Sequence, residues 1–134
     1  MADMDFFREV NEGYSHEVGD QYIVEVAKVF TSTFRKTDIT SRYGGDEFTI
    51  LLPDTDIESA MKVTEGVRKA VSELDFLKSL EGPDLHLSVS LGVSCFPATA
   101  RTLAELTEQA DKALYAAKNN GRNRVEHAPI CEKK

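Results

Sequence analysis

The sequence predicts an α/β fold, a mixed sheet with helices packed on it. Two observations carry that prediction. Helical and strand-like apolar patterns follow one another in the order helix, strand, strand, helix, strand, helix, strand. The two consecutive strands join through a glycine pair and form a hairpin, whereas the others connect through helices, so the sheet is mixed.

Ile23, Ala27, Phe30 and Phe34 keep helical spacing with Gln21, Glu25 and Lys28 between them, which predicts a helix from about Val18 to Arg35. A short strand, Ile39 to Tyr43, leads into the turn at Gly44 and Gly45. Phe48 to Leu52 forms the next strand, ended by Pro53. Ala60, Val63, Val67, Ala70 and Leu74 mark a second long helix, and Gly82-Pro83 breaks the chain after it. From Leu85 to Cys95 every second residue is apolar, the clearest strand pattern in the sequence. Thr102-Leu103-Ala104-Glu105 is a capping box. Leu106, Ala110, Ala113 and Ala117 continue its helix, and Gly121 stops it. Asn123 to His127 make a last short strand. Residues 1–128 are expected to form one domain, with a frayed tail at 129–134.

Composition narrows the function. The 134 residues suffice for one core, and a net charge of -7 repels the phosphates of nucleic acids, so DNA or RNA is not an expected partner. No apolar run approaches membrane-spanning length and no signal peptide is apparent. Cys95 and Cys131 have neither metal-ligand spacing nor a disulfide framework, which suits a cytoplasmic setting.

The chemistry concentrates at Gly44-Gly45-Asp46-Glu47. Glycine takes positive φ and lets a ligand approach the backbone closely, and acids beside such a turn supply hard oxygen ligands. Taken alone, the same four residues read first as a hairpin turn with solvated acids. Asp3 and Asp5 lie at the end of a possible strand near the amino terminus. Should that strand lie beside the hairpin, Asp3 meets Asp46 and Glu47, and a cation relieves their repulsion. Mg²⁺ ions bridging a triphosphate there would support phosphoryl or nucleotidyl transfer.

Four blocks in order resemble the GGDEF domain of diguanylate cyclases. They are Asp3 to Asp20 (DMDFFREVNEGYSHEVGD), Arg42 to Phe48 (RYGGDEF), Ser88 to Ser94 (SVSLGVS) and Ala110 to Val125 (ADKALYAAKNNGRNRV). The first is similar to the family segment D-x-D-x-F-K-x-x-N-D-x-x-G-H-x-x-G-D. The resemblance implies a fold like the palm core of nucleotidyl cyclases and polymerases. The implied reaction condenses two GTP, one on each domain of a homodimer, to cyclic di-GMP and two pyrophosphates. It implies Mg²⁺ or Mn²⁺ held by Asp3, the carbonyl of Met4, Asp46 and Glu47, with Asp46 also the catalytic acid. Gly44 and Gly45 would let GTP pass close to the turn. Asn11 and Asp20 would read guanine, and His16 would lie on the substrate side or pack at a helix start. Arg8, Lys118 and Arg122 would neutralise phosphates. Lys118 and Arg122 equally suit the negative end of a helix dipole. Arg35 and Asp38 match the R-x-x-D of the family's inhibitory site for cyclic di-GMP. A further arginine is expected there near Lys62 to Gly66, where the chain has Lys62, Gly66 and, just beyond, Arg68, so this site is expected to be half built.

Some positions depart from the family. Arg8 replaces Lys, Glu12 replaces Asp, and Ser15 stands where glycine is usual, so the turn before His16 is expected to relax differently. Family domains begin well before Asp3, so nearly all of a central first strand is expected to be missing, leaving unpaired edges and an open core. That expectation sustains an alternative function, a catalytically impaired domain that binds GTP or cyclic di-GMP.

Overall fold

A four-residue strand organises the molecule. In the computed structural model, which describes residues 1–131, β1 (Ala2–Asp5) is followed by α1 (Phe7–Gly13), α2 (His16–Thr33), β2 (Ile39–Gly44) and β3 (Glu47–Leu51). Then come α3 (Ile57–Ser72), a single 3-10 turn (Phe76–Ser79), β4 (Ser88–Val93), α4 (Leu103–Asn119) and β5 (Val125–His127). The strand order is β2-β3-β1-β4-β5. β1 is antiparallel to both β3 and β4, and β4 is parallel to β5, so the predicted mixed sheet is present. No helix among the described residues is long and apolar enough to cross a membrane.

The short first strand is built into the middle of the sheet. All four residues of β1 are buried, with β3 on one side and β4 on the other. Met1 lengthens the β4 ladder: its carbonyl accepts from Gly92 N at 2.8 Å, and its ammonium donates to Gly92 O at 3.0 Å. Four residues suffice because all of them pair with β4, while Ala2 and Asp3 also pair with β3 and Met4 N reaches Asp46 O.

Alternation along β1 sorts its side chains. Ala2 and Met4 join Phe48, Val89 and Leu91 in a cluster with Tyr22, Val26 and Phe30 of α2 and Val67 and Val71 of α3. Asp3 and Asp5 face the other way, with Ser88, Ser90 and Gly92, toward α4. A Cβ at Gly92 would run into the backbone of Ala110 and Leu114, so glycine there sets how closely α4 lies on β4.

Several boundaries differ from the sequence reading. The first helix is preceded by α1, which has Val10 as its one buried residue and thus no readable stripe. α2 begins at His16 because the Ser15 hydroxyl accepts from Val18 N at 3.2 Å. Ser15 has an extended backbone, φ -170°, so the turn needs no glycine. The alternating run Leu85 to Cys95 is strand only over Ser88–Val93, and all six residues are buried. Periodicity reports which side chains face in, but pairing requires a partner strand, and β1 and β5 are short. At α4 the Thr102 hydroxyl caps Glu105 N at 3.1 Å, while Glu105 reaches back to Arg101 N at 3.0 Å rather than to Thr102. Beyond β5, Ala128 N donates to Val93 O at 2.8 Å and Cys131 N to Ala98 O at 2.7 Å. Residues 132–134 of the expected tail lie outside the described residues.

Candidate active site

The β2–β3 hairpin places its tip against β1. Gly45 has φ 49°, the left-handed conformation that favours glycine, and a Cβ at Gly44 or Gly45 would meet nothing within 4 Å. The tip is therefore open on the side a ligand would approach. Asp3 is the ladder partner of Glu47, and Met4 N donates to Asp46 O at 2.9 Å. The Asp46 carboxyl lies near enough to Asp3 to raise its proton affinity. Lys118, on the last turn of α4, forms an ion pair with Asp3. Burial pushes the Asp3 carboxyl up to about 6; Lys118 pulls it down and Asp46 pushes it up. One lysine does not cancel a buried acid with a second, half-buried acid beside it.

The remaining candidates surround this point unequally. Asn11, on α1, packs directly against Gly19; a side chain at Gly19 would overlap its amide. That contact brings Asn11 beside the α2 turn that carries exposed Asp20. His16 is exposed as the first residue of α2, so it does not pack there. Arg8 is on the outer side of α1 and pairs with Glu12, Nε to Oε1 at 2.9 Å. Two departures from the family pattern thus form one surface ion pair. Arg122 follows α4 on a left-handed turn, φ 63°, with its guanidinium 5.9 Å from the Phe6 ring centroid.

Arg35 and Asp38 form a second constellation at the far end of α2. Arg35 Nη2 lies 2.9 Å from Asp38 Oδ1, and Arg35 N donates to Asp38 Oδ2 at 2.8 Å. The same Nη2 donates to Pro53 O at 2.8 Å and Thr55 Oγ1 at 2.9 Å, tying the connection before β2 to the one after β3. The guanidinium holds the Asp38 carboxyl below the usual range. A groove of about 260 Å³ opens beside them, lined also by Thr33, Leu52, Ser59 and Val63. Arg68 does not line it; its guanidinium binds Glu65 at 2.7 Å and Asn123 at 3.0 Å.

Comparison with known proteins decides the family. The model of the diguanylate cyclase GGDEF domain matches residues 1–124. The chain belongs to the GGDEF domain family. This GGDEF domain is 42% identical over 125 residues to diguanylate cyclase A of Treponema denticola, covering 93% of this chain and 33% of that protein. It is 35% identical over 125 residues to the response regulator PleD of Caulobacter vibrioides, covering 93% of this chain and 28% of that protein. The chain therefore spans a third or less of these relatives. Among solved structures, the GGDEF domain of DgcB from Caulobacter crescentus, in complex with c-di-GMP, superposes with a TM-score of 0.82 at 32% identity, covering 94% of this chain and 74% of that one. The GGDEF domain of PA1120 from Pseudomonas aeruginosa gives 0.85 at 29% identity, covering 97% and 80%. The palm-like core expected from the resemblance is the fold of this GGDEF domain.

The donors of this GGDEF domain suit a hard divalent cation. Carboxylates and a main-chain oxygen come from two paired strands, and the excess negative charge that raises Asp3 is what a cation relieves. Among the described residues no three acidic, histidine or cysteine side chains are already gathered around one point. Sequence reading gave no role to Asp5, Ser88 or Ser90, which form a buried hydrogen-bonded group next to Asp3. The signal was available: alternate acids on one strand face alternate serines on another.

Proposed function

We propose that this chain is a diguanylate cyclase domain, acting as a homodimer and condensing two GTP to cyclic di-GMP and two pyrophosphates. The observation that supports it is the buried Asp3 carboxyl beside Asp46, at a hairpin tip left open by Gly44 and Gly45. Asp3, the Met4 carbonyl, Asp46 and Glu47 would hold Mg²⁺ or Mn²⁺. The bound cation would supply charge neutralisation at the triphosphate. Asp46 accepts the proton of the 3′-hydroxyl as that oxygen bonds to the α-phosphorus of the facing GTP; the bond to pyrophosphate breaks and pyrophosphate leaves with its electron pair. Each GTP supplies one nucleophile and one leaving group, so two facing domains complete the ring. Asn11 and Asp20 bind the guanine edge, with His16 nearby on the substrate side. Lys118, Arg122 and Arg8 neutralise phosphate charge. GTP supply and the free thiols fit a cytoplasmic setting.

Arg35 and Asp38 would bind cyclic di-GMP and slow turnover, with α3 contributing no second arginine to the groove. A binding module without turnover is the second reading, favoured by that preformed Arg35 clamp.

The test is chromatography of nucleotides after incubating concentrated protein with GTP and Mg²⁺. Cyclic di-GMP is expected, at a rate rising faster than linearly with protein concentration. Folded protein that binds cyclic di-GMP and makes none would move the second reading ahead.

A further inference from the structure

We infer that Asp5 is a positioning residue that sets Arg122 for phosphate binding by holding the Asn123 amide; this rests on the reading of Arg122 as a phosphate contact. Asp5 is 2% exposed and lies two residues along β1 from Asp3. Its carboxylate accepts from Ser88 Oγ at 2.7 Å, Ser90 Oγ at 2.8 Å and Asn123 N at 3.1 Å. Among the described residues no cation pairs with it. A buried carboxylate needs such donors, and the two serines come from the strand already paired with β1. The third donor comes from elsewhere in the chain, and it costs the backbone something to supply it.

Gly121, Arg122 and Asn123 have φ of 119°, 63° and 48°, three left-handed residues in succession, two of them not glycine. That turn persists only where the surroundings hold it. Among the bonds that do so are Arg122 N to Ala117 O at 2.9 Å, Arg68 Nη1 to Asn123 Oδ1 at 3.0 Å, and Asn123 N to Asp5. The first lies within the segment itself and the second ties it to α3. Only the third ties the turn to the strand that carries Asp3.

The end of α4 is thus fastened to β1 at two points on one face, Lys118 to Asp3 and Asn123 to Asp5. Arg122 lies between the fastenings, over Phe6 at the end of β1. A cavity of about 400 Å³, lined by Phe6, Asp84, His86 and Arg122, lies beside it. Without the Asp5 contact the turn has room to relax and Arg122 has somewhere else to go. The Asp5 carboxylate is buried behind its three donors, so it does not meet substrate.

A double-mutant cycle tests this, read as binding of 3′-deoxy-GTP, which lacks the attacking hydroxyl, with Mg²⁺. Arg122→Ala and Asp5→Ala are each expected to weaken binding about tenfold, the worth of one charge-assisted phosphate contact. The double variant is expected to be no weaker than either single one. Binding of 3′-deoxyguanosine, which has the base and no phosphate, stays unchanged in all three. Additive losses, or equal loss for the phosphate-free nucleoside, overturn the proposal, because Asp5 then acts on the fold at large. An Asp5→Ala chain that binds like the parent overturns it too. An Arg122→Ala chain that binds like the parent overturns instead the phosphate reading on which it rests. Should Asp5→Ala fail to fold, Asp5→Asn carries the same cycle. It keeps one acceptor, so about a threefold loss is expected, and that loss must vanish in the Arg122→Ala background.

Discussion

Asp3 with Lys118 and Asp38 with Arg35 are both a carboxylate beside a cation, yet their proton affinities move in opposite directions. Asp3 is raised to about 6 and Asp38 is lowered. The cations do not explain the difference, since each attracts its partner. Asp38 has Arg35 to itself, with bonds from both the guanidinium and the main-chain N–H. Asp3 is buried on the sheet and shares its surroundings with a second acid, Asp46. Desolvation and like charge outweigh one lysine, so the Asp3 site has charge left for a ligand to neutralise, and the Asp38 pair has little. The second pair already ties two connections together before any ligand arrives.

The strongest way to break the comparison is to remove the second acid. Asp46→Asn should cut cyclic di-GMP formation by about 10²- to 10⁴-fold, the range for loss of a proton acceptor. It should also bring the Asp3 carboxyl back toward the ordinary range, which an NMR titration of Asp3 reads directly. Next comes the pH dependence of stability. Between about pH 4 and pH 6 the folded chain keeps a proton on Asp3 that the unfolded chain releases, so this contribution is full below the unfolded pKa and is lost as pH rises. The shift from 3.8 to about 6 corresponds to something on the order of 3 kcal/mol. Urea unfolding at steps of pH should show that slope in the parent and a flatter one in Asp3→Asn.

The Asp38 pair has the opposite sign. Its lowered pKa stabilises the fold above the unfolded value and is lost as pH falls through the folded one. Arg35→Ala should therefore be less stable than the parent at pH 7, and the gap should close in acid. The smallest effect belongs to Arg8 and Glu12, whose side chains are 83% and 64% exposed. Replacing either with Ala should leave the melting temperature unchanged, because solvent screens such pairs. A clear loss there would mean that exposure is a poor guide to which pairs matter.

The same contrast explains what could be read from the sequence. Arg35 and Asp38 are three positions apart, so spacing alone made their pairing legible. Lys118 and Asp3 are 115 positions apart, and only the fold brings them together. The resemblance marked both as functional, but gave no sign that they bind each other before a ligand arrives. β1 was legible in pattern, since Ala2, Asp3, Met4 and Asp5 alternate apolar and acidic, yet it was expected to be mostly absent for want of length. Four residues suffice here, because a strand lying between two others is held by its neighbours. α1 escaped notice for the converse reason: it buries only Val10, too little to leave a stripe.

β1 also shapes how the domain is able to diverge. Ala2 and Met4 belong to the core, and Asp3 and Asp5 to the opposite face, so the core and the proposed chemistry occupy the two sides of one four-residue segment. Inserting or deleting a single residue there would turn the acids inward and the apolar pair outward, ending fold and function together. A change of letter at Asp3 alone would cost the proposed chemistry and spare the core. Descendants that survive as folded, inactive domains should therefore keep the length of this segment and lose its acids. Inheritance through this strand is strict in spacing and lenient in spelling.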